Sequence, residues 1–299
     1  NGMKYLILSG DLTSNGEYEA HRQLAARLEK FEKDTGIQVI AINGNHDINK
    51  ANGTTYENGK AEPTKRTTPE DFLEIYKNLG YDLAYHRYTP SKGKANMLSY
   101  SVRADGYRFI VMDTGKYSSD VTEKGKDLAE TAGCLTTEAT NWVLGEIADA
   151  KAKGETVIGV SHHNFVPHFT GEYTIIRGFV IDGWEELTDK LVDAGMHFSF
   201  TGHIHDSDIA QTVTDDGETL TEICTDSLTA FPNYFREVNA TTDVNGKTTM
   251  KVESKDVDCV LPVTVNGETY ATPYRIKSLG DSFFGEGGLS ATALNMLEG

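Results

Sequence analysis

Ile37-Gln38-Val39-Ile40-Ala41-Ile42-Asn43-Gly44-Asn45-His46-Asp47 is a β-type apolar run that stops in a cluster of amide, imidazole and carboxylate groups. The arrangement recurs three times. Tyr5-Leu6-Ile7-Leu8 runs into Ser9-Gly10-Asp11, Val157 to Val160 into Ser161-His162-His163, and Phe198-Ser199-Phe200 into Gly202-His203-Ile204-His205. Between these runs the apolar residues change to helical spacing. Residues 17–33 place Tyr18, Leu24, Leu28 and Phe31 on one face, and Gly36 stops the pattern. A short helix is expected after Pro69, and longer ones over 137–151 and 184–194. Strands alternating with helices predict an α/β sheet. In such sheets ligands gather at the carboxyl ends of the strands, which is where the polar clusters fall.

Further along, Ala104-Asp105-Gly106, Asp215-Asp216-Gly217 and Asn245-Gly246 separate paired β-runs and predict hairpins, so antiparallel strands join the sheet. The alternation fades after about residue 255. The expected organisation is one domain over 1–255 and a C-terminal extension, or the start of a second domain, over 256–299.

The 299 residues carry 28 Lys+Arg against 45 Asp+Glu, a net charge of −17. With no basic block, binding of a nucleic-acid polymer is not expected. No run approaches the roughly 18 apolar residues of a membrane span. The three cysteines, Cys134, Cys224 and Cys259, are too few and too dispersed for a disulfide framework, and read as small buried apolar residues.

Each polar cluster has an ordinary reading. Gly10-Asp11 alone suits a turn, Asn45-His46-Asp47 an Asx-turn with a surface histidine, and His162-His163 one buried and one exposed ring. Gly202-His203-Ile204-His205 is harder to dismiss, because alternation puts both imidazoles on one face of an extended segment. Five of the nine histidines fall in these clusters. Carboxylate oxygen, amide oxygen and imidazole nitrogen together suit Mn²⁺, Fe²⁺ or Zn²⁺ without a thiol. A metal would also let an acidic protein hold an anionic substrate, because the ion reverses the local charge.

Gly10-Asp11-Leu12-Thr13, Gly44-Asn45-His46-Asp47, Ser161-His162-His163 and Gly202-His203-Ile204-His205 resemble, in order, the motifs of the calcineurin-like metallophosphoesterases, over about residues 5–240. The Gly-Asp-Leu-Thr form, followed by Asn15-Gly16 and His21, is most similar to bacterial enzymes of the class III cyclic-nucleotide phosphodiesterase type. The resemblance implies a four-layer αββα sandwich and two divalent ions (Mn²⁺, Fe²⁺/Fe³⁺ or Zn²⁺) acting on a small phosphoester through an activated hydroxide. It implies that Asp11 bridges both ions, that Asn45, His162 and His203 complete the second ion's shell, and that His205 binds the first. His46 would be the acid at the leaving oxygen, oriented by Asp47. His162 is the expected ligand in preference to His163 because it comes first after the strand. His21 is expected to pack or cap.

One element of the family pattern has no counterpart here. An Asp-x-His ahead of Gly-Asp would supply two ligands of the first ion, and the ten residues before Asp11 hold neither Asp nor His. A cut chain is the expected cause. It would leave the domain without its first strand and the first metal site incomplete. Acidity and the cut start fit an exported bacterial protein slightly better than a cytoplasmic one. The competing expectation is a non-catalytic scaffold of the same fold that binds metal or a partner. A serine hydrolase fits poorly, since Gly159-Val160-Ser161-His162-His163 lacks the closing glycine of a nucleophile elbow. Loops 49–68, 114–134 and 164–182 are expected to select the substrate, with Arg66, Arg177, Tyr117, Phe165, Phe169 and Tyr173 as candidate contacts.

Overall fold

The computed structural model describes residues 2–50, 52–56, 59–117, 129–229, 234–256, 263–265 and 268–270. Its elements begin with β1 (Tyr5–Ser9), α1 (Tyr18–Thr35) and β2 (Gln38–Ile42), then the two-residue strands β3 (Thr54–Thr55) and β4 (Glu62–Pro63). Next come α2 (Pro69–Ile75), β5 (Ala84–Arg87), β6 (Tyr100–Ala104), β7 (Tyr107–Met112), β8 (Gly115–Tyr117) and β9 (Ala129–Gly133). Then follow α3 (Thr137–Ala152), β10 (Thr156–Ser161), α4 (Glu172–Ile175), α5 (Trp184–Ala194) and β11 (Met196–Thr201). The remainder is strand: β12 (Ile209–Val213), β13 (Thr219–Cys224), β14 (Tyr234–Thr242), β15 (Thr248–Asp256), β16 (Val263–Val265) and β17 (Glu268–Tyr270).

The chain divides into two compact units, Asn1–Ile204 with Asp208–Cys224, and His205–Ser207 with Thr225–Gly299. The first is built on a seven-stranded mixed sheet in the order β12-β13-β11-β10-β7-β6-β5. Its centre (β7, β10, β11, β13) is parallel, and β5, β6 and β12 add antiparallel edges. β1 and β2 form a separate parallel pair.

Alternation decides which layer covers which face. Ile110 and Met112 of β7 point to a core shared with Val143, Ile147 and Ala150 of α3 and Leu187, Leu191 and Val192 of α5. The intervening Phe109 meets Tyr5 of β1, ring centroids 5.8 Å apart. Tyr100, paired with Val111 in the ladder, donates its hydroxyl to the Ala41 carbonyl of β2 at 2.8 Å. The β1–β2 pair therefore lies on the face opposite α3 and α5, with α1 and α2 beyond it. The order is helix, sheet, sheet, helix, the αββα sandwich expected from the motifs. Val39 to Ile42 are all fully buried, as a strand covered on both faces must be.

Local chemistry sets the helix ends. Gly36 takes φ 74° and returns its N–H to Glu32, ending α1 in a left-handed cap. Thr68 and Asp71 form a reciprocal capping box with Pro69 in the first turn, which starts α2.

The second unit contains the β14–β15 hairpin around Asn245-Gly246, and β16 pairs with β17. Most of the extension expected from residue 256 lies outside the described residues, as does Cys259. Cys224 is buried, Cys134 is half-buried, and both are free thiols. No helix among the described residues is long and apolar enough to cross a membrane.

Candidate metal centre

Two strand-end turns meet first. Gly10 and Asp11 both take left-handed backbone, φ 90° and 51°, which swings the Asp11 carboxylate back toward Gly44. A Cβ on Gly44 would lie 2.1 Å from Asp11 Oδ1 and 2.4 Å from its backbone nitrogen, so only glycine permits this approach. The Asp47 carboxylate fastens the turns together. Its Oδ2 accepts from the N–H of Gly44 (2.7 Å) and Leu12 (3.1 Å), and its Oδ1 from the N–H of Thr13 (3.0 Å). Behind it, His21 is fully buried, in hydrogen-bond contact with Tyr76 and edge-on to Phe72. Asp11 Oδ1 accepts the His46 N–H at 2.9 Å, leaving Oδ2 to face inward.

β10 and β11 deliver the imidazoles. His162 Nδ1 donates to the Ser9 carbonyl at 2.8 Å. Its Nε2 then stands 3.1 Å from Asn45 Oδ1 and 3.2 Å from Asp11 Oδ2. His203, at φ 70°, donates Nε2–H to the Gly178 carbonyl at 3.1 Å and stacks on Phe179, centroids 4.6 Å apart. Asp11, His162 and His203 each offer a ligand atom, all within 4.8 Å of one another.

The donor set fits a cation. With Nδ1–H given to Ser9, the neutral His162 ring turns a lone pair toward two oxygens that are themselves acceptors, and such buried acceptors need a positive partner. The electrostatics agree. Burial alone would raise the Asp11 pKa, but the positive charge of His162 as imidazolium and the His46 N–H outweigh it and hold the carboxyl well below its ordinary range, so the pocket favours a positive charge beside Asp11.

The calcineurin-like phosphoesterase family pattern matches residues 2–207. The chain belongs to this family. It is a metal-dependent phosphoester hydrolase, and divalent ions and small phosphoester substrates come with the family. Among solved structures, this calcineurin-like phosphoesterase is similar to a dimetal phosphatase from Danio rerio, with 14% identity, TM-score 0.51, 84% of this chain and 81% of that chain covered. It is also similar to a phosphopantetheinyl hydrolase from Mycobacterium tuberculosis, with 14% identity, TM-score 0.38 and 75% and 79% covered. No curated protein matches the sequence.

Of the residues the motifs pointed to, the phosphoesterase brings Asp11, Asn45, His162 and His203 together. His163 is turned away, with Nε2 on the Thr131 carbonyl (2.9 Å) and Nδ1 on Thr114 Oγ1 (2.7 Å). Burial and the adjacent His203 and His162 lower its pKa well below the ordinary value. His205 is exposed, takes φ 57°, and belongs to the second unit.

Two expectations need correction. His46 takes its orientation from the Ser14 carbonyl, 2.7 Å from Nδ1, while the Asp47 carboxylate is engaged by backbone N–H groups. Asp47 therefore builds the turn under His46 in place of holding its ring. Phe165 contacts no substrate: it is fully buried among Ile110, Leu187 and Leu191, because an Asn164–Val180 bridge folds loop 164–182 back onto the sheet. Loop 49–68 contains the β3–β4 pair, and loop 114–134 contains the β8–β9 pair around residues 118–128, which lie outside the described set.

Two further buried carboxylates, Asp113 and Glu222, lie behind the strand ends. Asp113 follows β7 and accepts from Asn43 Nδ2 (3.0 Å) and the Tyr117 hydroxyl (2.7 Å). β7 is thus a fifth apolar run that stops at a polar group, and the break from Val111-Met112 to Asp113 was its signal. Glu222 shares the inward face of β13 with Leu220. Alternation within Thr219-Leu220-Thr221-Glu222 was its signal.

Proposed function

We propose that this phosphoesterase cleaves phosphodiesters, cyclic nucleotides or related compounds among them. Asp11, Asn45, His162 and His203 would hold one divalent ion, and Asp11 would also serve a second. The observation that carries this reading is the convergence of ligand atoms from Asp11, His162 and His203 within 4.8 Å, with Asn45 Oδ1 beside them. When bound, such ions polarise the phosphoryl oxygens and lower the pKa of a nearby water.

The chain's own residues supply orientation and a proton. The Ser14 carbonyl holds Nδ1–H of His46, so the ring delivers a proton from Nε2 only as imidazolium. Water oxygen attacks phosphorus in line as one of its protons passes to solvent, the ester P–O bond breaks, and the leaving oxygen takes that Nε2 proton. His46 is left neutral in the tautomer that Ser14 favours. The preference for a base or headgroup beside the phosphate is supported by the rim. Phe169 is exposed, and the Arg177 guanidinium lies 5.5 Å above the Tyr173 ring, on the segment whose Gly178 carbonyl holds His203. The similarity of Gly10-Asp11-Leu12-Thr13 to class III enzymes supports cyclic nucleotides in particular.

A panel of cyclic nucleotides, bis-aryl phosphodiesters and phosphomonoesters, assayed with Mn²⁺, Fe²⁺ and Zn²⁺ in turn, tests the reading. Diesters should turn over fastest. A preference for monoesters overturns the diesterase assignment, and metal uptake without turnover on any ester favours the scaffold.

A further inference from the structure

Glu222 is fully buried on β13, next to the edge strand of the seven-stranded sheet, and each of its oxygens takes two donors. Oε1 accepts from His168 Nε2 at 3.0 Å and Asn164 Nδ2 at 3.1 Å. Oε2 accepts from the Phe165 N–H at 2.9 Å and Ser199 Oγ at 3.0 Å. These donors come from the two segments that carry His162 and His203. Asn164 is two residues past His162, and Asn164 Nδ2 also reaches Thr201 Oγ1 (2.9 Å), two residues before His203. Ser199 pairs directly with Glu222 in the β11–β13 ladder.

A third connection closes the circuit. Asn164 bridges to Val180, and its carbonyl accepts the Ile181 N–H at 2.9 Å. The same stretch supplies the Gly178 carbonyl that orients His203. His168 braces the far side, with Nδ1 3.0 Å from Asp208 Oδ2 and its own N–H on Glu172 at 2.6 Å. A burial this complete needs every donor satisfied, and removing the carboxylate would strand several at once.

We propose that Glu222 is a positioning residue for the metal centre: outside the ligand set, it fixes the spacing of His162 and His203, so that metal affinity depends on it. The inference rests on the metal-site reading above. Geometry a few tenths of an ångström from ideal is costly for an ion held by rigid imidazoles, and partners behind the ligands commonly carry about ten- to a hundredfold in affinity.

The test is calorimetric titration of Mn²⁺ into the full chain, well below the melting temperature, for wild type, Glu222→Gln and Glu146→Gln. Glu146 is a buried carboxylate of another network, 2.9 Å from Arg108 near the start of β7, at the end of the sheet away from the ligands. Glu222→Gln should weaken Mn²⁺ binding at least about tenfold, whereas Glu146→Gln lowers the melting temperature and leaves the affinity within about twofold of wild type. A destabilised Glu222→Gln with unchanged affinity reduces Glu222 to a structural residue and overturns the inference. If Glu222→Gln does not fold, His168→Asn removes one donor alone; a smaller loss of affinity is expected, and no loss overturns the proposal. A wild-type chain that takes up no Mn²⁺ overturns the metal-site reading itself.

Discussion

The Nδ1–H of His162 reaches the main-chain carbonyl of Ser9 across 2.8 Å, joining residues 153 positions apart. It ties the end of β10 in the large sheet to the end of β1 in the small pair. It also selects the tautomer, because a ring that donates from Nδ1 presents a bare Nε2. Next door, His163 has both nitrogens occupied by Thr114 and Thr131. Adjacent imidazoles of the same kind thus receive opposite fates from their hydrogen bonds.

Substituting the two should separate them. His162→Ala is expected to abolish measurable Mn²⁺ binding, while His163→Ala lowers the melting temperature through a buried cavity and unpaired groups, with affinity less affected. Parallel calorimetry and thermal melts would decide. Equal losses of affinity would mean that His163 also serves the ion.

His46→Ala should lower turnover by roughly 10²-fold on a substrate with an alkoxide leaving group while bound metal is retained. An aryl leaving group, which needs less protonation, should lose less. Kinetics on both substrates, with metal content measured on the same sample, would show whether the imidazole acts as acid.

A carboxylate that serves two ions is lost to both, so Asp11→Ala is expected to release both, whereas Asn45→Ala weakens mainly one. Elemental analysis of the purified variants reads this directly. Two ions retained in Asp11→Ala would end the bridging assignment.

His168 makes stability depend on pH. Burial alone would lower its pKa, but Glu222 and Asp208 outweigh burial and raise it. The folded state then holds the proton more tightly than the unfolded chain, whose value is about 6.5. Stability from this proton is complete below about pH 6.5 and is lost as pH rises through the raised folded value. The difference in melting temperature between wild type and His168→Asn should shrink over that range. A difference that stays constant with pH would show that His168 contributes through packing alone.

The strand ends were legible because each apolar run stops abruptly at groups that a core does not otherwise tolerate. Asp11, Asn45, His162 and His203 could be read this way without knowing which strands pair. The β12–β13 hairpin was legible in its Asp215-Asp216-Gly217 turn, but the joining of β7 to β10 and of β10 to β11 along the sheet was less accessible, since pairing across distance leaves no local periodicity. Phe165 was misplaced because an aromatic just past a polar motif resembles loop decoration, and only the Asn164–Val180 bridge turns it inward. The role of Ser14 was out of reach for a different reason: its contribution to His46 is a backbone carbonyl, which every residue possesses.

Asp11 and His203 both sit at positive φ, where an ordinary side chain costs about 1–2 kcal/mol. Glycine at either position would relieve that cost and remove the functional atom together. A laboratory selection for heat tolerance that is blind to turnover places no value on either functional atom, so it is free to discard Asp11 or His203 wherever the relieved backbone outweighs the hydrogen bonds and packing lost, emptying the centre. Screens for robust variants of this chain need an activity gate from the first round.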